Sequence, residues 1–367
     1  MRKLFAPILT AIALVIGLPA AQSATPVIRV TDIPHRNFDG TFRDNELVNL
    51  LGPSGRLGKA LFNPAQSATW VIDPYLVDEV LDMADGYTFE GQEDPVGASI
   101  AQIWLQQLRI ATLANPVVAL PYGNPDTSLA RRISSRELKF YFELGAQKLE
   151  TFLSRPVISQ NGWGVGKSRL NSDELSIYRD GRKLLAGLNR VVNDEEIDRM
   201  RERLATLLNP QLKAIDRNYF ASNARIELTK ISEKLKVVSG RYQLTSKNVK
   251  VPLTLVNKFE TATSLSLSLI PMNSRVQVES LHNIELPAKS QIQIAVPFTV
   301  IASGNTVVHA QFMTPQGDFV GEVFKLNLTL TVIDSRVTWF TTGAAILLFL
   351  GAVTQSVRRV RRSRHEK

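Results

Sequence analysis

Thr69-Trp70-Val71-Ile72-Asp73-Pro74-Tyr75-Leu76-Val77-Asp78 is the stretch whose reading decides the N-terminal half of the chain. A short apolar run stops at Asp-Pro, and Leu76, Val77, Val80 and Leu81 then recur on one helical face. Proline suits the first helical position, so this is a buried strand running into a capped helix. The same alternation continues outward. Val27-Ile28-Arg29-Val30 is strand-like, and Ile100 to Leu113 is an amphipathic helix through Ile103, Leu105, Leu108 and Ile110. Val117-Val118-Ala119-Leu120 is a second apolar strand, closed by Pro121-Tyr122-Gly123-Asn124-Pro125-Asp126. A helix over Arg136 to Leu153 precedes a third strand at Pro156-Val157-Ile158-Ser159. Strand–helix–strand order predicts parallel βαβ units. The strands are too few to close an eight-stranded barrel, so residues 25–232 are expected to form an α/β domain resembling a reduced or partial βα-barrel. Asn171 with Glu174, and Asn193 with Glu196, fit capping boxes of later helices.

From residue 233 the period falls from 3.6 to 2. Leu265, Leu267 and Leu269 alternate with serines, and Phe324, Leu326, Leu328, Leu330 and Val332 alternate with Lys325, Asn327, Thr329 and Thr331. Further strand-like runs lie at 251–256, 292–296, 298–301 and 307–313, separated by turn signals such as Pro271-Met272-Asn273 and Ser303-Gly304-Asn305. Short strands at this spacing predict an all-β immunoglobulin-like sandwich over residues 233–334.

The 367 residues are 44% hydrophobic, contain no cysteine and carry a formal charge of +9. Disulfide scaffolds and thiolate chemistry are thereby excluded. Much of the basic excess sits at the two ends, which argues against a nucleic-acid-binding face on the folded part. Arg2-Lys3, the apolar run Leu4 to Leu18 and the small residues at Ala21-Gln22-Ser23 have the order of a secretory signal peptide, expected over 1–24. Val337 to Val357 are uncharged, long enough for one membrane span, with Trp339 and Phe340 at the entry side. Arg358, Arg359, Arg361, Arg362, Arg364 and Lys367 follow against one acid, Glu366. The expectation is a transmembrane helix at 337–357 and a basic cytoplasmic tail at 358–367. That makes a single-pass cell-membrane protein with its N-terminal domains outside, and the tail can touch anionic headgroups.

The 69–78 stretch, together with Ala119-Leu120-Pro121-Tyr122-Gly123-Asn124-Pro125-Asp126, Val237-Val238-Ser239-Gly240-Arg241-Tyr242-Gln243-Leu244-Thr245-Ser246 and Val251-Pro252-Leu253-Thr254-Leu255-Val256-Asn257, resembles an actinobacterial family of exported membrane proteins. Its members carry a signal peptide, a glycoside hydrolase/deacetylase-like domain, an immunoglobulin-like domain and a final span with an Arg-rich tail. The family's members are usually longer, so the resemblance implies a truncated α/β domain. It also implies a cell-envelope setting, because the family's genes often neighbour that of a lipid II flippase homologue.

Chemistry is thinly signalled. The histidines are His35, His282, His309 and His365, none paired at metal-ligand spacing, so no metal or other cofactor is expected. No G-x-S-x-G elbow accompanies His35. Gly162-Trp163-Gly164-Val165-Gly166-Lys167-Ser168 departs from a phosphate loop at Asn161 and reads as an exposed loop. Asp73 and Asp126 each follow an apolar strand, where α/β enzymes place carboxylates, and each also stands where a helix N-cap is needed. Glu90 is a further carboxylate. Trp163 and Tyr122 are candidates for stacking on a sugar ring, with packing over the strand ends as the alternative. Two functions remain from these residues. One is a non-enzymatic scaffold or binding protein for cell-wall glycan or a membrane partner in wall assembly. The other is a cell-wall glycan hydrolase with paired carboxylates.

Overall fold

The computed structural model describes residues 25–62, 67–331 and 335–363, with side chains of the last helix described over 342–356 and at Arg358. The expected signal peptide at 1–24 and the side chains of the expected tail beyond Arg358 lie outside the described residues. The N-terminal half runs β1 (Val27–Val30), α1 (Glu46–Leu51), α2 (Arg56–Phe62), β2 (Thr69–Ile72), α3 (Pro74–Ala84), the hairpin β3 (Thr88–Phe89) and β4 (Gln92–Glu93), α4 (Pro95–Thr112), β5 (Val117–Ala119), α5 (Thr127–Ile133) and α6 (Ser135–Leu153). The helices α7 (Ser172–Leu188), α8 (Glu195–Leu204) and α9 (Ala214–Ser232) follow.

β1, β2 and β5 form a parallel sheet in that order, with Val30 beside Ile72 and Ile72 beside Ala119. It is an open sheet. The strand expected at 156–159 is only a parallel bridge between Ile158 and Val118, flanked by Pro156, which has no N–H to donate. Trp70, Ile72, Val117 and Ala119 turn one face of the sheet into a cluster with α1, α2, α3, α4 and α6. α4 buries Ala101, Trp104, Leu105 and Leu108, an i, i+3, i+4, i+7 face centred on the large indole. Ile103 and Ile110, expected on the buried face, are instead exposed, because Trp104 lies between them and takes that face.

The C-terminal half holds β6 (Leu235–Val237), β7 (Arg241–Leu244), β8 (Asn248–Asn257), β9 (Thr263–Pro271), β10 (Val276–Val278), β11 (Leu281–Leu286), β12 (Ser290–Val300), β13 (Gly304–Met313) and β14 (Phe319–Leu330). They form two sheets, β10-β12-β8-β6 and β11-β9-β13-β14-β7, antiparallel except where β7 joins β14. Leu253, Leu255, Phe298 and Val300 of one sheet share a hydrophobic cluster with Leu265, Leu267, Leu269, Phe312, Leu326 and Leu328 of the other. The runs read as separate strands at 292–296 and 298–301 are one strand. Pro297 is tolerated within it just beyond the point where β10 stops pairing, at Phe298.

That cluster does not stop at residue 233. Tyr178, Leu185, Ile197, Met200, Leu204, Phe220 and Leu228 from α7, α8 and α9 belong to it, so these helices pack on the sandwich. Polar ties reinforce the seam: the Glu260 N–H donates to Asp194 at 3.2 Å and Arg190 meets Asp318 at 2.7 Å.

α10 (Ser335–Ser363) covers the expected span. Among the described residues no helix is long and apolar enough to cross a membrane, and part of the 337–357 segment has no described side chains. Those that are described include Ile346, Leu347, Leu348, Phe349 and Leu350, all exposed.

Candidate functional site

The C-terminal ends of the three parallel strands converge on a polar cluster whose centre, Asp73 and Glu79, is buried. Asp73 ends β2 and caps α3: its Oδ1 accepts from the Tyr75 N–H at 3.0 Å and from the Gly123 N–H at 3.1 Å. Gly123 has φ +78°, and a Cβ there would meet Ala205 Cβ and the Thr206 nitrogen at 3.1 Å, so only glycine brings this N–H against Asp73. Burial pushes the Asp73 carboxyl up to about 8, with the charges of Glu79 and Asp78 adding and the two backbone N–H groups opposing. The residue is 1% exposed.

Glu79, on α3, is fully buried. One of its oxygens accepts the backbone N–H groups of His35 and Arg36, at 2.9 and 2.8 Å, which pins the chain leaving β1 against α3. Burial raises its pKa, against the His35 and Arg36 charges and these two hydrogen bonds. Arg36 pairs with Asp82 and lies 5.5 Å from the Tyr75 ring centroid. Tyr75 meets Tyr122 edge-on at 5.5 Å, and the Tyr122 hydroxyl donates to Asp78 at 2.7 Å. Lys148 from α6 closes the far side, 2.9 Å from Asp78 and 3.6 Å from Glu202.

The sequence candidates divide among different roles. Asp126 is 7% exposed and caps α5, accepting from Ser128 and Leu129 N–H at 2.9 and 3.1 Å, while its other oxygen takes the Ser168 N–H at 3.0 Å. Tyr122 is 1% exposed, so neither face of its ring is open to a sugar. Trp163 is half-buried over Val71, Val118 and Leu120, the second face of the parallel sheet, and its carbonyl accepts from Arg29 at 2.7 Å. Glu90 is exposed at the β3–β4 turn, with φ +52°. The loop through Gly162 and Lys167 leads to no helix before α7. Asn171 and Glu174 form the expected capping box, but the second cap is Asp194, one residue beyond Asn193.

Glu79, Arg36, Asp78 and Lys148 were not singled out in the sequence. A signal existed for the first: Glu79 lies four residues after Tyr75 and three after Leu76, a carboxylate on the apolar face of α3. Beside the cluster a cavity of about 770 Å³ opens between α3 and the start of α4, lined by Phe42, Asp82, Asp85, Tyr87, Glu93 and Asp94 among others. His35, Asp44 and Glu46 bring possible metal-ligand atoms within 4.8 Å of one another.

Residues 168–365 match a family of unknown function, DUF6049. The chain belongs to this family. The DUF6049 match begins just before α7 and covers the helices that share the sandwich's hydrophobic cluster. No curated protein matches the chain. Among solved structures, E. coli alpha-2-macroglobulin is similar over 27% of this chain and 6% of its own, at 12% identity and TM-score 0.22. The C. elegans MSP family member WR4 is similar over 27% of this chain and 98% of its own, at 10% identity and TM-score 0.21. The E. coli chaperone DraB is similar over 27% and 55%, at 8% identity and TM-score 0.20. The chain thus spans a small part of the macroglobulin, and at such TM-scores these likenesses support no inference about fold or function.

Proposed function

We propose that this DUF6049 member is a non-enzymatic cell-envelope protein, anchored by one membrane span, whose external part binds cell-wall glycan or a membrane partner in wall assembly. In this reading the nine-stranded unit is an immunoglobulin-like support next to the membrane, and the open parallel sheet is the reduced remnant of a glycoside hydrolase/deacetylase-like domain of actinobacterial type. The observation that carries it is the use made of the strand-end carboxyl groups. Asp73 and Asp126 are buried and spent on backbone N–H groups, and an acid–base pair for glycosidic cleavage needs both groups open to the sugar. The run of exposed apolar side chains at 346–350, followed in sequence by the basic tail, supports the anchor. The cavity beside Asp82 and Asp94 and the half-buried Trp163 offer carboxylates and aromatic faces to a glycan.

The test is co-sedimentation of the full chain in detergent with isolated cell-wall sacculi, with released reducing sugar assayed in the supernatant. Binding without release, weakened by Trp163→Ala, is the expected result. Release of sugar that Asp73→Asn abolishes overturns the non-enzymatic reading. Absence of both binding and release removes glycan as the ligand and leaves the membrane partner.

A further inference from the structure

We propose that His35, Asp44 and Glu46 form a site for one divalent transition-metal ion of the zinc class. The three residues lie on one short stretch of backbone that is already shaped. An antiparallel bridge between Arg36 and Phe42, with the Asn37 N–H on Thr41 O at 2.7 Å and the Arg43 N–H on His35 O at 2.8 Å, folds residues 35–43 into a tight hairpin. The hairpin brings the Asp44 carboxylate to 2.7 Å from His35 Nδ1. The same Asp44 oxygen accepts the Glu46 N–H at 3.1 Å, which orients it over the start of α1. One nitrogen and two carboxylate oxygens within 4.8 Å of one another can surround a common ion once the His35–Asp44 hydrogen bond opens and the exposed Glu46 side chain shifts. Ligands about 2.0–2.2 Å from zinc stand farther from one another than that 2.7 Å contact.

The second observation lies on the other side of the imidazole. The His35 side chain is 1% exposed, and its Nε2 has no hydrogen-bond partner. A histidine that ligates a metal through Nδ1 carries its proton on Nε2 and donates a hydrogen bond from it to an outer carboxylate. Asp32 Oδ2 stands 4.0 Å from Nε2 and is held there by Arg56 at 2.6 Å. The neighbouring charges are otherwise engaged. Arg43 turns to Asp216 at 2.9 Å, and Glu79 takes the His35 and Arg36 backbone N–H groups. Glu46 is exposed and Asp44 partly so, which lets an ion enter from outside and keep water in its remaining positions. Mixed nitrogen and oxygen donors suit zinc, manganese or cobalt better than calcium.

The experiment is a Zn²⁺ titration by calorimetry of the full chain after EDTA treatment, paired with Mn²⁺ binding followed by electron paramagnetic resonance. One equivalent is expected to bind. Glu46→Gln and Asp44→Asn are each expected to weaken it at least about tenfold, and Asp32→Asn to weaken it through the outer carboxylate. Glu46 is exposed, so the metal-free melting temperature of Glu46→Gln should equal that of the wild type, which separates lost binding from lost folding. Failure to bind either ion, or binding that Glu46→Gln and Asp44→Asn leave intact (as at the tail His365), overturns the site. The outcome is independent of whether the chain binds glycan.

Discussion

The parallel-sheet half and the sandwich handle buried polarity in opposite ways. In the sandwich the buried polar residues are uncharged, namely Asn257, Thr263, Ser266, Ser268, Thr306 and Thr314. Among the described residues, the buried charged side chains all precede the sandwich. Arg36, Asp73, Glu79 and Asp126, with His35, lie around the parallel sheet, and Glu137, Glu174, Asp194 and Arg217 lie on or cap the helices α6 to α9. Two facing sheets satisfy their backbone groups through ladders and can fill the space between with leucines and valines. Three short parallel strands leave loops at one end, and their N–H groups need acceptors that no neighbouring strand supplies. Carboxyl groups from α3 and the strand ends fill that need, at the cost of burying groups that would rather ionise in water.

Three measurements bear on that contrast. The largest effect is expected from Glu79→Ala, which leaves the buried backbone N–H groups of His35 and Arg36 without an acceptor and opens a cavity beside them. A loss of about 3–6 kcal/mol in urea unfolding is predicted, from about 1–3 kcal/mol for each unsatisfied N–H group together with the cavity. A cost below that of an ordinary surface change would mean that the charged cluster contributes little, and the contrast would lose its energetic meaning. In the sandwich, Leu267→Ala should cost about 2–5 kcal/mol through lost burial and a cavity. Its effect should be the same at pH 5 and pH 8, because no titrating group is involved; a pH-dependent cost would contradict the uncharged character of that core.

Asp73→Asn should give the smallest change at pH 5 and the most pH-dependent one. The carboxyl group titrates near 4 in an unfolded chain and at about 8 when folded. Between those values the folded state holds a proton that the unfolded state has released, so stability falls as pH rises towards 8. Asparagine still accepts from Tyr75 and Gly123 and cannot ionise. The variant is therefore expected to lose this slope and to exceed the wild type by at least about 1 kcal/mol at pH 8. Parallel melting curves for both proteins from pH 5 to 8 would remove Asp73 as the source of any pH dependence.

Much of the architecture was legible in residue order. Trp70 to Asp73 marked β2 and its cap, Asn171 and Glu174 marked the start of α7, and the Leu-Ser alternation marked β9. The errors have local causes. Ile103 and Ile110 looked buried by periodicity, but Trp104 offered more apolar area on the competing face of α4. The strand at 156–159 shrank to a bridge, because one apolar pair could not extend a ladder beside Pro156. In the candidate site, Asp73, Asp126 and Tyr122 were visible as residues at strand ends, while their burial was not. The partners of the cluster come from α3 and α6, up to seventy residues apart in sequence for Asp78 and Lys148, and no local pattern reports such a pairing.

By itself the sequence determined the two periodicities, the helix starts and the expected membrane segments, because each depends on residues within a few positions of one another. Tertiary structure alone decided that α7, α8 and α9 pack on the sandwich, that the strand-end carboxyl groups are sealed, and that His35 faces Asp44 and Asp32. Those outcomes depend on which surfaces meet across long stretches of chain. Burial, and with it the protonation of Asp73, is a property of the surroundings and not of the residue.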